Sequence, residues 1–282
     1  MTEEELENAK LCRSRDEVWS IFRRAVSYFC GFATANMVLK LACKYLVFGD
    51  KKKYSSLVNW CISFFHSIYA SYLSVKAFFS LNNKELLHEV FIKYKHSNFT
   101  SYKIEGFRDQ LLPWTLAYFC WDLIDMPISG AGFTASNTLH HVFGAMGAML
   151  VIAYGKCQLF AFSALFAEIN TVFLALRAIC RDPLVLSLFF GSSEVSLLDG
   201  PLVYKLINVL QYCSFFLSRI YIHALGLKQS ILFALEEYRM GSSNNNGLNL
   251  RLGIFGSIGG LVIFANNIYL LRRLIKTDFK LK

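Results

Sequence analysis

The sequence predicts an all-α, polytopic membrane protein of about seven transmembrane helices, on three observations. First, the 282 residues are 55% hydrophobic and 16% aromatic, but only 17% are charged, where a globular protein carries about 25%. The mean hydropathy is +0.39. Second, the shortage of charge is uneven: residues 111–154 hold no Lys or Arg, and their only acids are Asp122 and Asp125. That stretch cannot be a solvated surface, and it is long enough for two crossings of roughly 20 residues each. Third, seven apolar runs of near-spanning length follow one another, at about 25–48, 55–81, 111–128, 138–154, 157–176, 202–225 and 252–271.

The opening residues, MTEEELENAKLCRSRDE, are strongly charged and do not read as a cleavable signal. Residues 1–24 are therefore expected to be a charged tail. The run at 25–48 is expected to be a first, uncleaved start-transfer helix, and 55–271 the main transmembrane domain, followed by a basic tail at 272–282. In the first run Lys40 and Lys44 must snorkel or pair. Residues 82–110 read as a wet loop, 182–201 as a segment lying at the interface, and 241–247 as a flexible connector. In 226–240, Leu227, Ile231, Leu235 and Tyr238 recur at helical spacing opposite Glu236 and Glu237, which suggests an interfacial amphipathic helix. Lys and Arg are too evenly divided between the two sides to set orientation.

The eight cysteines are scattered, without a C-x-x-C pair or metal-ligand spacing, so neither a disulfide framework nor a metal site is expected. The formal charge of +9 comes from juxtamembrane Lys and Arg. It reads as attraction of the basic termini to anionic lipid headgroups, not to nucleic acid.

Ionisable groups within a span are costly and default to a functional reading. The second run carries Asn59, Ser63, Ser67 and Ser74 at intervals near three or four, with His66 beside them. Such a stripe serves either close helix packing or, given His66, a site. In AYFCWDLIDMP, Asp122 and Asp125 share a face, and Pro127 should end or kink the helix. Asp125 falls near the water interface and Asp122 about one turn deeper. His140 and His141 open the fourth run about 100° apart, so only one ring can face the centre squarely. His140 aligns with Gly144 and Gly147, His141 with Ala145 and Ala148, and both rings could equally be interfacial caps. Glu168 lies half-way along the fifth run and is out of phase with Arg177, so each needs its own partner; Arg177 is within reach of phosphate headgroups. Arg219 and His223 lie one turn apart on the sixth run, and Gly256 with Gly260 gives the last run a small-x-x-x-small packing signal.

Taken together these blocks resemble the TLC-domain family, which includes ceramide synthases, translocation-associated membrane proteins and lipid-homeostasis proteins. Tyr118-Phe119-Cys120-Trp121-Asp122 is similar to the family's Y-F-x-[YW]-D, Leu139-His140-His141 to its histidine block, and Phe215-Phe216-Leu217-Ser218-Arg219 to its F-x-x-S-R. Glu168 to Arg177 resembles the E-L-S-T-P-F-L-N-L-R block of the non-synthase branch, and His66 falls where the family often has a histidine. The resemblance spans about 55–271 and implies a six-helix TLC-type bundle. Two departures stand out. Thr171 occupies the position of the second of two aspartates in ceramide synthases, and Val172 replaces the proline typical of the other branch.

The resemblance implies a multi-pass protein of lipid homeostasis that binds or senses a lipid, sphingolipid or phospholipid, inside the bundle. The expected compartment is the endoplasmic reticulum, with the plasma membrane as alternative, and oligomerisation stays open. No cofactor is expected. The competing reading is an acyl-CoA-dependent N-acyltransferase acting on a long-chain amine. In it His140 or His141 is base or nucleophile and Glu168 or Asp122 orients the ring, with acyl-CoA as substrate. In either case His66, Arg177, Arg219 and His223 would contact the lipid. A proton-coupled transporter, which also uses intramembrane Asp, Glu and His, is a third and weaker reading, because no repeat of broken helices is visible.

Overall fold

The computed structural model describes residues 15–47, 51–80, 106–130, 134–182, 185, 202–240 and 247–279. Residues 1–14 of the expected tail, most of the 82–110 loop and of the 182–201 segment, 241–246 and 280–282 lie outside the described residues. Within them every element is helical.

Helix α1 (Arg15–Val47) begins ten residues upstream of the expected span, with Asp16 and Glu17 in its first turn, where the helix dipole favours acids. Helix α2 is Lys51–Ser80. A π turn at Phe107–Leu111 leads into α3 (Leu112–Ser129). Pro127 is accommodated in the last turn of α3, and the helix stops at Gly130, whose left-handed backbone returns its N–H to Met126 O. Helix α4 (Ala135–Tyr154) starts at Thr134, whose Oγ1 accepts from the Asn137 N–H at 3.2 Å. The fifth apolar run folds as two pieces, α5 (Gln158–Leu165) and α6 (Glu168–Cys180), joined by a tight turn at Phe166 and Ala167. Helix α7 (Leu202–Ser214), a π stretch (Phe215–Ile222) and α8 (His223–Arg239) follow without a break, and α9 is Leu248–Asp278.

Successive neighbours close on themselves: α3 packs on α4, α4 on α9, α9 on α8, α7 on α6, α6 on α2, and α2 on α3. The result is a ring of six helical rods, with α5 lying against α8 and α4. Helix α1 stands outside the ring against α3 and α2. Among the described residues, three helical stretches are long and apolar enough to cross a membrane: Arg15–Tyr45, Phe160–Cys180 and Leu248–Asp278. The other rods carry much of the buried polar set, including His66, Asp122, Asp125, His141 and Arg219. The protein is an all-α helical membrane protein.

The segment expected to lie amphipathically at the interface is α8, which continues α7 and the π stretch as one rod, the sixth rod, so numbered after the sixth apolar run. Its apolar residues Ile231, Leu235 and Tyr238 are exposed, while Gln229, Ser230 and Glu237 are buried. Where α8 meets α9, Gly253 brings the backbones together: a Cβ there would lie 3.0 Å from Ala234 Cα. At the end of α4, Gly155 is required twice. It adopts a left-handed φ of 71°, and a Cβ would lie 2.9 Å from the guanidinium of Arg108, which donates to Ile152 O at 2.5 Å.

The far end of α9 is pinned by charge. Asp278, its side chain 2% exposed, pairs with Arg177 and accepts from Tyr212 Oη at 2.6 Å; Arg177 Nη1 also donates to Gln211 Oε1 at 2.7 Å. These contacts join α6, α7 and α9. Removing one member of a buried pair costs about 3–5 kcal/mol, whereas an apolar replacement of both can be near neutral; the half-exposed Arg181, 3.7 Å from Asp278, offsets only part of that cost. Arg177→Met is therefore expected to lose stability on that scale in detergent unfolding, and Arg177→Met/Asp278→Leu to recover most of it. Gly253→Val, which forces α8 and α9 apart, should cost about 1–3 kcal/mol in the same measurement.

Candidate functional site

Seven of the eight residues singled out in the sequence as site groups are buried and His140 stands half-buried; all but Arg177 gather inside the ring. They come from α2, α3, α4, α6 and the sixth rod, and form one polar core. Its two histidine–carboxylate pairs lie side by side, and Tyr118 separates them.

On one side, His66 of α2 is fully buried and stacks flat on Tyr118, with ring centroids 3.8 Å apart and 9° between planes. The Trp114 ring lies nearly parallel to it, 6.3 Å away. The imidazole Nε2 is 3.8 Å from Glu168 Oε2, and Ser67 donates to the same oxygen at 3.2 Å. Tyr118 Oη and Ser63 Oγ share a hydrogen bond of 2.7 Å. The serine stripe of α2 thus helps hold Glu168 and Tyr118 in place.

On the other side, His141 of α4 is the ring that faces the centre. Its Nε2 lies 3.2 Å from Asp122 Oδ2, and its ring is 5.8 Å from Tyr118 and edge-on to Phe119 at 5.0 Å. His140 stands perpendicular to it, 5.4 Å away, against Phe119. That ring is close because Gly144 has no side chain: a Cβ there would be 2.3 Å from Phe119.

Arg219 closes the core. It donates to Thr171 Oγ1 at 2.7 Å and to Asn267 Oδ1 at 3.2 Å, while Asn267 Nδ2 returns a bond to Arg219 O at 3.1 Å. Its charge is within reach of Glu168, His140, His141 and His223. One turn on, His223 Nε2 meets Gly260 O at 3.1 Å, and its ring stacks on Phe264. The π stretch carries Arg219, and such stretches occur often at functional sites.

Arg177 does not join this core. It is 3% exposed, and its guanidinium is engaged by Gln211 and Asp278. Asp125 stands apart from the core as well. It is 8% exposed and receives Lys40 Nζ at 2.6 Å. Asn267, Tyr118 and Trp114 were not singled out as site residues in the sequence. Asn267 had a signal, since Asn266 and Asn267 interrupt an apolar run. No group of three or more metal-ligating side chains forms among the described residues.

Several buried polar atoms of the core have no protein partner among the described residues: His141 Nδ1, Asp122 Oδ1, His140 Nδ1, His223 Nδ1 and Arg219 Nε. Beside them opens an apolar cavity of about 80 Å³ between α4, α5 and α9. Its walls include Gly144, Gly147, Gly256, Gly259 and Gly260, with Lys156 at the loop end. Gly260 also supplies the carbonyl that His223 meets, so cavity and polar core share a wall.

No curated protein and no solved structure matches the chain. The TLC domain does match, over residues 57–276, which takes in all six rods of the ring and every residue of the polar core. The chain belongs to the TLC-domain family of lipid-related membrane proteins.

Proposed function

We propose that the protein binds a membrane lipid inside the helix ring, with one acyl chain in the glycine-lined cavity and the polar head at His141, Asp122, His140 and Arg219. The observation that carries this reading is the wall that the two halves share: Gly260 lines the apolar slot, and its carbonyl meets His223 of the polar core. One water needs roughly 10–15 Å³ of the same kind of space, so the slot is several waters in size, yet apolar cavities stay dry. Hydrocarbon is the solute that gains there, because it restores dispersion contacts to the lining. Along α9 the lining runs from Leu252 to Ile263, about 16 Å at 1.5 Å per residue, or roughly half of a bilayer's hydrocarbon core. The unpaired donors and acceptors of the core suit an amide, hydroxyl or phosphate head, whose groups would satisfy them. Sphingolipids and phospholipids both have such heads. The endoplasmic reticulum, where lipid composition is adjusted, is the compartment this reading favours.

The acyltransferase reading draws on one observation, the 3.2 Å contact between His141 and Asp122, which resembles an imidazole oriented by a carboxylate. Against it stands Arg219, which donates to the Thr171 hydroxyl at 2.7 Å where an acid is expected in the synthases.

Gly147 provides a direct test. A Cβ there meets nothing within 4 Å, so Gly147→Leu places its side chain in the cavity without disturbing the helices. Lipid recovered with the purified protein, quantified by mass spectrometry, should fall about tenfold, a loss of roughly 1.4 kcal/mol of binding. Gly31→Leu, on an exposed part of α1 that also has open space, should leave it unchanged. Equal lipid content in both variants would sink the proposal. Amide formation from acyl-CoA and a long-chain amine, abolished by His141→Ala, would decide for the enzyme.

A further inference from the structure

Helix α1 precedes the TLC domain, which begins at residue 57, and most of its surface is open: Val26, Met37, Val38, Leu41 and Tyr45 are exposed. Its buried residues form a single stripe. Ile21, Ala25, Phe32 and Asn36 are all 5% exposed or less, and Lys40 continues the line one turn later. Residues four apart share a helix face, so the stripe is one edge laid against α3.

Two points on that edge touch the two histidine supports. Phe32 packs 4.6 Å from Trp114 and 5.7 Å from Tyr118, the rings that run parallel to His66. Lys40 Nζ lies 2.6 Å from Asp125 Oδ1. Asp125 is one turn from Asp122 on α3, with electrostatic contact between the two, and Asp122 is the residue that holds His141 Nε2. Two carboxylates at that spacing repel in a medium of low dielectric. Lys40 supplies the compensating charge, and within 4.0 Å Asp125 has no other cationic partner among the described residues.

We infer that the first helix, although outside the family domain, completes the site, and that Lys40 is a positioning residue: by pairing with Asp125 it leaves Asp122 to hold His141. The inference rests on the lipid-binding reading only in taking the His141–Asp122 pair as functional. Lys40 touches no ligand group itself. Its role is to offset Asp125, so that Asp122 does not face a second bare carboxylate one turn away while it holds the imidazole.

The difference between positioning and anchoring is measurable in the full chain reconstituted in phospholipid nanodiscs. The rate of carbethoxylation of His141 by diethyl pyrocarbonate, read by fragment-ion mass spectrometry, reports how firmly Asp122 holds the ring. Asp122→Asn removes the charged acceptor and should raise the rate about tenfold, as expected for losing one hydrogen bond to a charged group. Lys40→Met should raise it by a similar factor, and Lys40→Arg should leave it near the wild-type value. The double variant Lys40→Met/Asp125→Asn should return it to the wild-type value, because the second charge is gone.

A lysine that only docks α1 predicts the reverse for the double variant, which lacks the ion pair as completely as the single one. A double variant as reactive as Lys40→Met therefore overturns the inference, as does an unchanged rate in Lys40→Met when Asp122→Asn responds. An unchanged rate in Asp122→Asn overturns the pair itself and the inference with it. Lipid content of the same samples, compared with Gly147→Leu, shows separately whether the lipid reading stands. Melting temperatures of all variants confirm that the chains compared are folded.

Discussion

A carboxylate inside a ring of apolar helices must be answered by the protein, since hydrocarbon offers no hydrogen bond. Glu168, 4% exposed at the start of α6, imposes that constraint here. Ser67 donates to it from α2, His66 faces it from the same helix, and Arg219 of the sixth rod supplies the opposing charge. Arg219 is held in turn by Asn267 of α9 and by Thr171, one turn beyond Glu168. One acid thereby fixes the relative positions of four rods. The tight turn at Phe166 and Ala167 follows the same logic, because it starts α6 afresh at Glu168.

In lipid, apolar side chains give helices little reason to prefer one another over acyl chains, so association depends on close backbone contact and on polar pairs. Both devices are used, and in different places. Glycines draw α9 to its neighbours: Gly253 meets Ala234 of α8, Gly256 meets Ser230, and Gly259 meets Phe143 of α4. Ion pairs work where glycines are absent. Arg177 and Asp278 tie the end of α9 to α6, and Lys40 and Asp125 tie α1 to α3. Buried ion pairs are weak sources of net stability, but a missing partner is heavily penalised. Their consequence here is register: a helix shifted by one turn would leave a charge in hydrocarbon.

Much of this was legible from periodicity. The apolar runs, the paired placement of Asp122 and Asp125, and the requirement that Glu168 and Arg177 find separate partners all follow from spacing along single helices. Partner identity was not legible, because it is fixed by which rods become neighbours. His66 and Glu168 are 102 positions apart, Arg177 and Asp278 101. The amphipathic reading of 226–240 shows a second limit. The period was right, but in a bilayer the apolar face turns outward and the polar face inward. Ile231 and Leu235 therefore face out while Ser230 and Glu237 are buried together with Leu227 and Phe233, so the polar face meets protein where that of a helix resting on a membrane surface would meet water. The π stretch at Phe215–Ile222 has no signature in composition, and Arg219 lies within it.

The arrangement of the histidines bears on what the core can do. A proton relay or a base–nucleophile sequence needs ionisable groups linked one to the next. Here His66 belongs to Glu168 and His141 to Asp122, and the group between them is the ring of Tyr118, whose hydroxyl is engaged by Ser63. The two pairs therefore stand in parallel and not in series. Arg219, bonded to a hydroxyl and an amide, keeps a charge that among the described residues is opposed by the more distant Glu168. Such a core offers donors and acceptors held in place by the helices, next to an apolar slot that shares Gly260 with it. Recognition of a polar head by preset groups asks for no more than this. Catalysis would in addition require the leaving group and the attacking amine to meet His141 Nδ1, the one nitrogen of that ring without a protein partner among the described residues.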